Sequence, residues 1–292
     1  MYKFEYKKPK VIAEIGCNHM GQIEIAKELI ELAKDAKADV AKFQKRDIKL
    51  LLSEEQYQAP HPNPMHSYGI SYGEHREYLE FNQNQCKELK EHCEKIGIEY
   101  STSVWDVNSA RMIVEINPDF IKVPSASNNN FELLEVLRDE YKGDVHISFG
   151  MTTRTEEEEV IRFFETSNQA KDRLIIYSCT SGYPVPFEKI SLLEISRMYD
   201  KYEKRVKEIG FSGHHLGIAV DIAAYTLGAR WIERHFTKDR TWKGTDHAAS
   251  LEPDGLKKLV RNLNATFISL TYKATDILDI EQFQREKLKY RK

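Results

Sequence analysis

ARWIERHFT, at residues 229–237, has the composition of a buried β-strand and yet carries a carboxylate and an imidazole. Side chains alternate between the two faces of a strand, so Glu233 and His235 point to one side while Ile232 and Phe236 point to the other. Burying a carboxylate beside an imidazole costs several kcal/mol unless a metal, a partner charge or a charged substrate compensates. This segment therefore predicts a strand and, on one face of it, a functional site.

Three other apolar, β-rich runs have the same unusual feature. A single polar residue in a strand is most simply interpreted as solvent-facing or satisfied within the core. Four such strands make independent explanations of that kind improbable, and together they predict one shared site. The three runs and their polar residues are VIAEIG (11–16) with Glu14, ADVAKFQ (38–44) with Lys42 and Gln44, and FIKVPSAS (120–127) with Lys122.

Short β-branched runs alternate with segments of helical periodicity along nearly the whole chain. Alternating strands and helices indicate a parallel sheet, and eight such units have the size of a closed (β/α)8 TIM barrel. We therefore predict an α/β protein with a single barrel domain over residues 1–292; a doubly wound open sheet is the alternative, although no GxGxxG follows the first strand. Strands are predicted near 11–16, 39–44, 98–104, 119–125, 144–149, 173–179, 208–212 and 229–236. Helices are predicted near 22–37, 83–96, 107–116, 131–140, 155–167, 188–206, 217–227 and 254–272, with an extra C-terminal helix near 279–290.

Residues 47–76 interrupt this alternation with a segment rich in Pro, His, Ser, Tyr and Gly. A connection of this length in a compact domain is typically a lid or a binding loop. It follows the second strand, on the side where the carboxyl ends of the strands open. We interpret it as a lid, with a simple insertion as the alternative.

The overall composition excludes several classes of function. The chain has 41% hydrophobic and 30% charged residues, a net charge of −3 and a pI near 6.4, which gives no reason to expect nucleic acid or an anionic membrane as a partner. No apolar run reaches the roughly 18 residues of a membrane helix, and the N-terminus lacks a signal-peptide core, so we expect a cytoplasmic protein. The four cysteines show no CxxC spacing, which argues against a disulfide framework or structural zinc. A catalytic thiol is a weaker alternative.

In a (β/α)8 barrel, functional residues gather at the carboxyl ends of the strands. Two lysines and serine-rich loops at these ends suit a small phosphorylated anion, and two histidines there suit an open divalent-cation site. His215 could replace its neighbour His214 in such a site. The polar residues that follow the strands in order are Glu14 with Asn18 and His19, Lys42 with Gln44, Thr102, Lys122 with Ser125 and Asn128, Ser148, Ser181 with Tyr183, Ser212 with His214, and Glu233 with His235.

The motifs at these positions resemble, in order, those of the sialic acid (N-acetylneuraminate) synthases. The resemblance extends over nearly the whole chain, and its opening motif and its last strand are the most specific parts. The matching motifs are AEIGCNHMG (13–21), AKFQ (41–44), STS (101–103), IKVPSAS (121–127), SFGM (148–151), CTSGYPVPFE (179–188), GFSGHH (210–215), ERHFT (233–237) and GTDHAASLEP (244–253).

This resemblance implies a transferase that forms a C–C bond between phosphoenolpyruvate and N-acetylmannosamine or a related aldose. The products would be a nonulosonic acid and phosphate. It implies a divalent metal, Mn²⁺ with Mg²⁺ or Co²⁺ as alternatives, bound by His214 and His235. It implies catalytic roles for Glu233, Glu14, His214 and His235, and substrate binding by Lys42, Gln44, Thr102, Lys122, Ser125, Ser148, Ser181, Tyr183, Ser212 and Asp246.

The chain departs from the family pattern at two site positions and at its C-terminus. Ser181 stands where bacterial members have Asn, and Gly213 stands where they have Asp. Family members usually continue into an antifreeze-like domain that reaches a partner subunit; here the chain stops at Lys292, so a homodimer would rest on the barrel. These differences keep other acceptors open, namely legionaminic or pseudaminic acid precursors and a shorter, phosphorylated aldose. A Schiff-base lysine and a catalytically inactive sugar-binding barrel are further alternatives.

Overall fold

Eight parallel strands close into one barrel in sequence order, and the last strand pairs with the first. The computed structural model describes residues 5–290 of the chain. The register from Lys10 opposite Trp231 to Glu14 opposite His235 closes the barrel, which confirms the predicted (β/α)8 fold and excludes the open sheet. The strands are β1 (Lys10–Gly16), β2 (Val40–Lys45), β3 (Glu99–Val104), β4 (Phe120–Val123), β5 (Asp144–Ser148), β6 (Leu174–Cys179), β7 (Glu208–Gly213) and β8 (Trp231–His235).

Amphipathic helices surround the barrel and cover its outer face. One predicted helix is wrong: over residues 188–206 a 3₁₀ turn (Phe187–Lys189) is separated from the α-helix by Ser191, whose φ of 55° is incompatible with a right-handed helix. The helices are α1 (Ile23–Asp35), α2 (Ile48–Leu51), α3 (Glu54–Gln58), α4 (Tyr72–Tyr78), α5 (Gln83–Ile96), α6 (Val107–Ile116), α7 (Phe131–Asp139), α8 (Arg154–Glu165), α9 (Ala170–Arg173), α10 (Glu194–Tyr202), α11 (Ala219–Thr226), α12 (Pro253–Ser269) and α13 (Asp279–Leu288). Within residues 5–290, none of these helices combines the length and the apolar character needed to cross a bilayer.

A separate apolar cluster fills the lower half of the barrel interior. Phe120 lies at its centre, stacked on His146 with ring centroids 3.7 Å apart and edge-on to Trp231 at 5.6 Å. This plug occupies the space below the charged residues, so those residues lie at the C-terminal mouth of the barrel, the opening formed by the carboxyl ends of the strands. The cluster consists of Ile12, Val40, Phe120, Ile175, Tyr177 and Trp231.

Phe120→Ala is expected to lower the free energy of unfolding by about 3–5 kcal/mol, because it removes a buried ring and leaves a cavity that the closed barrel cannot collapse. Chemical denaturation measures the change. Phe283→Ala is the control, since Phe283 is 66% exposed on α13, and we expect it to change stability by no more than about 0.5 kcal/mol. Equal effects of the two substitutions would contradict the interior plug.

Residues 47–76 fold as two short helices, a 3₁₀ turn (Pro64–His66) and the first part of α4. Two hydrogen bonds join this segment to the loop after β8. The Tyr68 hydroxyl donates a hydrogen bond to the Lys243 carbonyl, and the backbone N–H of Gly244 donates to His66 Nδ1 at 3.1 Å. The segment therefore reaches from β2 to the loop that follows β8, at the C-terminal side of the barrel.

Candidate active site

Two lysines and two glutamates from four strands meet inside the C-terminal mouth. All four are at least 95% buried. Lys122 Nζ contacts Glu233 Oε1, Lys42 Nζ contacts Glu14 Oε2, and Lys42 Nζ lies 3.6 Å from Glu233 Oε2. The two charges of each sign alternate, so this tetrad (Glu14, Lys42, Glu233 and Lys122) is neutral as a unit. The charged residues that stand alone in four separate strands thus form a single contact network, as the sequence predicts.

The surroundings of the tetrad keep Glu233 ionised. Burial raises the pKa of the Glu233 carboxyl, but Lys122 and Lys42 outweigh that effect and hold the pKa well below its usual range. Burial lowers the pKa of Lys122, with Glu233 acting in the opposite direction. The Ser212 hydroxyl also donates to Glu233 Oε1 at 3.1 Å. Glu233 is therefore a carboxylate whose low pKa depends on its lysine neighbours.

Two imidazoles lie side by side at the edge of this network. The ring centroids of His214 and His235 are 5.4 Å apart, and the Tyr183 ring lies 4.3 Å from the first and 5.9 Å from the second. His214 Nδ1 is 3.1 Å from the Thr180 carbonyl, so this nitrogen carries the proton and Nε2 keeps its lone pair. Burial, and next the nearby His235, lowers the pKa of His214 to about 3, so its ring is neutral at pH 7. The structure thus pairs His235 with His214 rather than with His215.

The two imidazoles fit a divalent cation. His235 Nδ1 is buried and has no hydrogen-bond partner, and Asp246 Oδ2 lies 3.9 Å from it. A neutral imidazole with one ring nitrogen held by a carbonyl is the usual state of a metal-binding histidine. Among residues 5–290, however, no group of three or more His, Cys, Asp and Glu residues forms a complete cation site. Any bound cation would keep positions for water or substrate.

Two serine hydroxyls lie against a glycine after β5, and a third serine ends that strand. Ser125 Oγ accepts a hydrogen bond from the Gly150 N–H at 2.9 Å, and Ser148 Oγ is buried without a partner. A Cβ placed on Gly150 would lie 2.5 Å from Ser181 Oγ and 2.7 Å from Ser125 Oγ. A side chain at Gly150 would displace both hydroxyls, and Ser125, Ser148 and Ser181 are small polar groups of the kind that bind phosphate oxygens.

The other side of the mouth contains a residue that sequence reasoning missed. Gln44 Nε2 donates to Glu14 Oε1 at 2.6 Å, and the Arg46 guanidinium donates to Gln44 Oε1. Arg46 is 7% exposed and lies over the Trp105 ring at 4.3 Å. It continues the two-residue period of Lys42 and Gln44, and that period was the available signal. Gln44 is therefore oriented from both sides.

The Asp246 carboxyl lies near the Arg46 guanidinium and near His235. Burial raises the pKa of its carboxyl, but His235, Thr245 and Arg46 reverse the effect and lower it below the usual value. Asp246 is thus ionised beside His235.

The prediction for Thr102 is corrected by the structure. Its hydroxyl donates to Tyr100 OH at 2.9 Å, on the outer face of β3 that packs against the helices. Ser103 takes the inward position and accepts a hydrogen bond from Lys42 Nζ at 2.6 Å. Side chains alternate along the strand, and three successive hydroxyl residues hid which of them faces inward.

Some other polar residues at the strand ends hold loops in place. Asn18 Nδ2 donates to the Phe236 carbonyl at 2.9 Å, and Asn128 Nδ2 donates to the Ser148 carbonyl at 2.9 Å. The His19 ring stacks on Phe81 at 4.1 Å. Its Nδ1 also accepts a hydrogen bond from the backbone N–H of Gly21 at 3.1 Å. These contacts account for the polar character of the three residues without a ligand.

Cys179 ends β6 and was not predicted at the site. Its Sγ lies 4.0 Å from His214 Nδ1. Burial raises the pKa of the Cys179 thiol, which argues against the catalytic-thiol alternative.

A closed (β/α)8 barrel with ionic residues and adjacent imidazoles at its C-terminal mouth defines a barrel enzyme. The NeuB family profile matches residues 29–275. The chain is 38% identical over 280 residues to N-acetylneuraminate-9-phosphate synthase of Homo sapiens, covering 95% of this chain and 76% of that protein. It is 33% identical over 253 residues to N,N'-diacetyllegionaminic acid synthase of Campylobacter jejuni, covering 87% and 75%.

A solved structure supports the same assignment. The crystal structure of N-acetylneuraminic acid synthetase from Leptospira borgpetersenii, in complex with citrate, has a TM-score of 0.81 and 29% identity, covering 98% of this chain and 94% of that one. This chain belongs to the NeuB family. It is a condensing transferase of carbohydrate biosynthesis, of the sialic acid synthase type, and the enzyme prediction is confirmed.

Proposed function

We propose that this enzyme condenses phosphoenolpyruvate with an N-acylated aldose, N-acetylmannosamine by default, to form a nonulosonic acid and phosphate. The observation that carries the proposal is the buried tetrad beside the unpaired Ser148 hydroxyl. Buried ion pairs rarely add enough stability to justify their desolvation. Two lysines that exchange their carboxylate partners for the carboxylate and phosphate of a small dianion give the tetrad a function.

In this proposal the lysines bind the anionic substrate, and the glutamates are released from their ion pairs. As Lys122 turns to the anionic substrate, Glu233 loses the cation that most depresses its pKa, so its affinity for a proton rises. Glu233 can then accept a proton from the water that adds to C2 of phosphoenolpyruvate. Glu14, released from Lys42, and Gln44, which Arg46 orients, then bind sugar hydroxyls.

The proposed reaction forms one C–C bond and breaks the C–O bond to phosphate. C3 of phosphoenolpyruvate forms a bond to the aldehyde carbon, and the aldehyde oxygen takes up a proton. Water adds to C2, and the C2–O bond to phosphate breaks to leave the 2-keto group. No oxidant or reductant is required.

We also propose that His214 and His235 hold a divalent cation, Mn²⁺ with Mg²⁺ or Co²⁺ as alternatives. The adjacent rings, the neutral state of His214 and the unpaired His235 Nδ1 support this ligand pair. When bound, such an ion polarises the aldehyde oxygen and stabilises the negative charge that develops there. The Tyr183 ring packs against both imidazoles.

A phosphorylated aldose is the second candidate acceptor, and the cations around the mouth favour it. Arg46 and Arg76 both lie close enough to Asp246 to lower its pKa, and Lys243 lies on the loop after β8, over the Tyr68 ring at 4.7 Å. A phosphate on the distal end of the sugar would meet these cations. The human relative, an N-acetylneuraminate-9-phosphate synthase by name, is consistent with this candidate.

An acceptor panel tests both candidates. The enzyme is incubated with phosphoenolpyruvate, Mn²⁺ and N-acetylmannosamine with or without a 6-phosphate, and with the corresponding diacetylated aldoses; released phosphate and keto acid are measured together. We expect equimolar products with at least one N-acylated aldose. A preference of tenfold or more for the phosphorylated form, about 1.4 kcal/mol, selects the second candidate. No product from any acceptor, by a protein that is folded and metal-loaded, would contradict the proposed reaction.

A further inference from the structure

A fully buried ion pair lies directly behind the two imidazoles. Arg234 is between Glu233 and His235 on β8 and points to the opposite face of the strand, where it is 1% exposed. Its NH1 donates to Asp221 Oδ2 at 2.5 Å, and Asp221, on α11, is 0% exposed. The pair therefore connects the last strand to the helix that follows the preceding strand.

The same guanidinium also holds the loop that carries His214. Arg234 NH1 donates to the Gly217 carbonyl at 2.8 Å and lies 3.1 Å from His215 Nε2, and NH2 donates to the His215 carbonyl at 2.5 Å. These acceptors belong to the first and the third residue after His214. Because Arg234 also adjoins His235 in the chain, one side chain relates the positions of both imidazoles.

Stability alone does not explain this pair. A buried Arg–Asp contact often contributes no more than apolar residues of the same volume would. Groups behind metal-binding histidines, in contrast, fix the direction of the rings and strengthen metal binding. The location of the pair between the two histidine-bearing elements points to this second role.

We propose that Arg234 and Asp221 are positioning residues that hold His214 and His235 at the separation a shared divalent cation requires. They touch neither substrate nor cation. The inference rests on the proposed metal site.

The test measures Mn²⁺ affinity directly, by electron paramagnetic resonance of the unbound ion, in the full-length protein and in Asp221→Asn and Arg234→Lys. We expect a dissociation constant about 10- to 100-fold higher in each variant, the usual effect of removing a group behind a metal ligand. Saturating Mn²⁺ should restore most of kcat, since the substrate-binding residues are unchanged. A purely structural role would lower the melting temperature without moving the Mn²⁺ dissociation constant.

Glu157→Gln is the matched control. Glu157 is 2% exposed and accepts hydrogen bonds from Arg197 at 2.8 and 2.9 Å, between α8 and α10. We expect this variant to lose thermal stability and to keep its Mn²⁺ affinity. Where Asp221→Asn does not fold, Arg234→Lys, which keeps the charge, supplies the comparison. Folded variants that bind Mn²⁺ within twofold of the unmodified protein would overturn the inference, whereas an unmodified protein that binds no Mn²⁺ would overturn the metal site itself.

Discussion

Glu233→Gln is expected to reduce kcat by about 10²- to 10⁴-fold, the range typical for loss of a positioned proton acceptor. The amide keeps the size of the side chain but cannot accept a proton from the attacking water. It also removes the negative charge that pairs with Lys122 and Lys42. Binding of phosphoenolpyruvate should change less than kcat, because Lys122 then lacks a competing carboxylate while Lys42 keeps its contact with Glu14. Steady-state kinetics with released phosphate as the signal, together with a binding titration, separate the two effects.

Glu208→Gln is the control for that substitution. Glu208 begins β7, next to β8, at the opposite end of the barrel, and accepts a hydrogen bond from the Trp231 indole at 2.7 Å. The same chemical change there should alter stability and leave kcat nearly unchanged. If both variants kept full turnover, Glu233 would not be the proton acceptor.

Removal of the proposed divalent cation, or His235→Ala, is expected to lower kcat/KM by about 10³-fold or more, which corresponds to about 4 kcal/mol of lost transition-state stabilisation. The physical reason is that a cation held by the two imidazoles would offset the negative charge that develops on the aldehyde oxygen. Activity is measured after treatment with a chelator and again after Mn²⁺ is added back. Mn²⁺ should restore the activity of the unmodified protein and should not restore the activity of His235→Ala.

His92→Ala serves as the comparison, because His92 lies on α5 in the outer helical layer and pairs with Glu31 at 3.2 Å. Its chelation and recovery should match those of the unmodified protein. Full activity in chelator would show that the two imidazoles act without a cation.

The strands were predictable because their signals are local. Runs such as those around Glu14 and Glu233 combine β-branched residues with one polar position, and the order of strands and helices then leaves few ways to close a sheet. The prediction of a single helix over residues 188–206 failed for an equally local reason. The left-handed backbone conformation of Ser191 has no clear signal in sequence. The prediction that Thr102 faces the site failed because its neighbours on β3 also carry hydroxyl groups, so the sequence does not show which of them faces the barrel interior.

The partners of each site residue were beyond local reasoning. Sequence alone placed Glu233 beside His235, yet in the structure its closest cation is Lys122, from a strand more than a hundred residues away. Arg46 was missed although it continues the two-residue period of its strand, and Arg234 was missed because its partners come together only after folding.

The sequence by itself determined the strand and helix order, the presence of charged residues on buried strands and the family motifs, because each of these depends on neighbours within a few positions. Only the tertiary structure decided that His214 rather than His215 faces His235, and that the four charges of the tetrad neutralise one another. Those outcomes depend on barrel register and loop conformation, which long-range packing sets and no local pattern encodes.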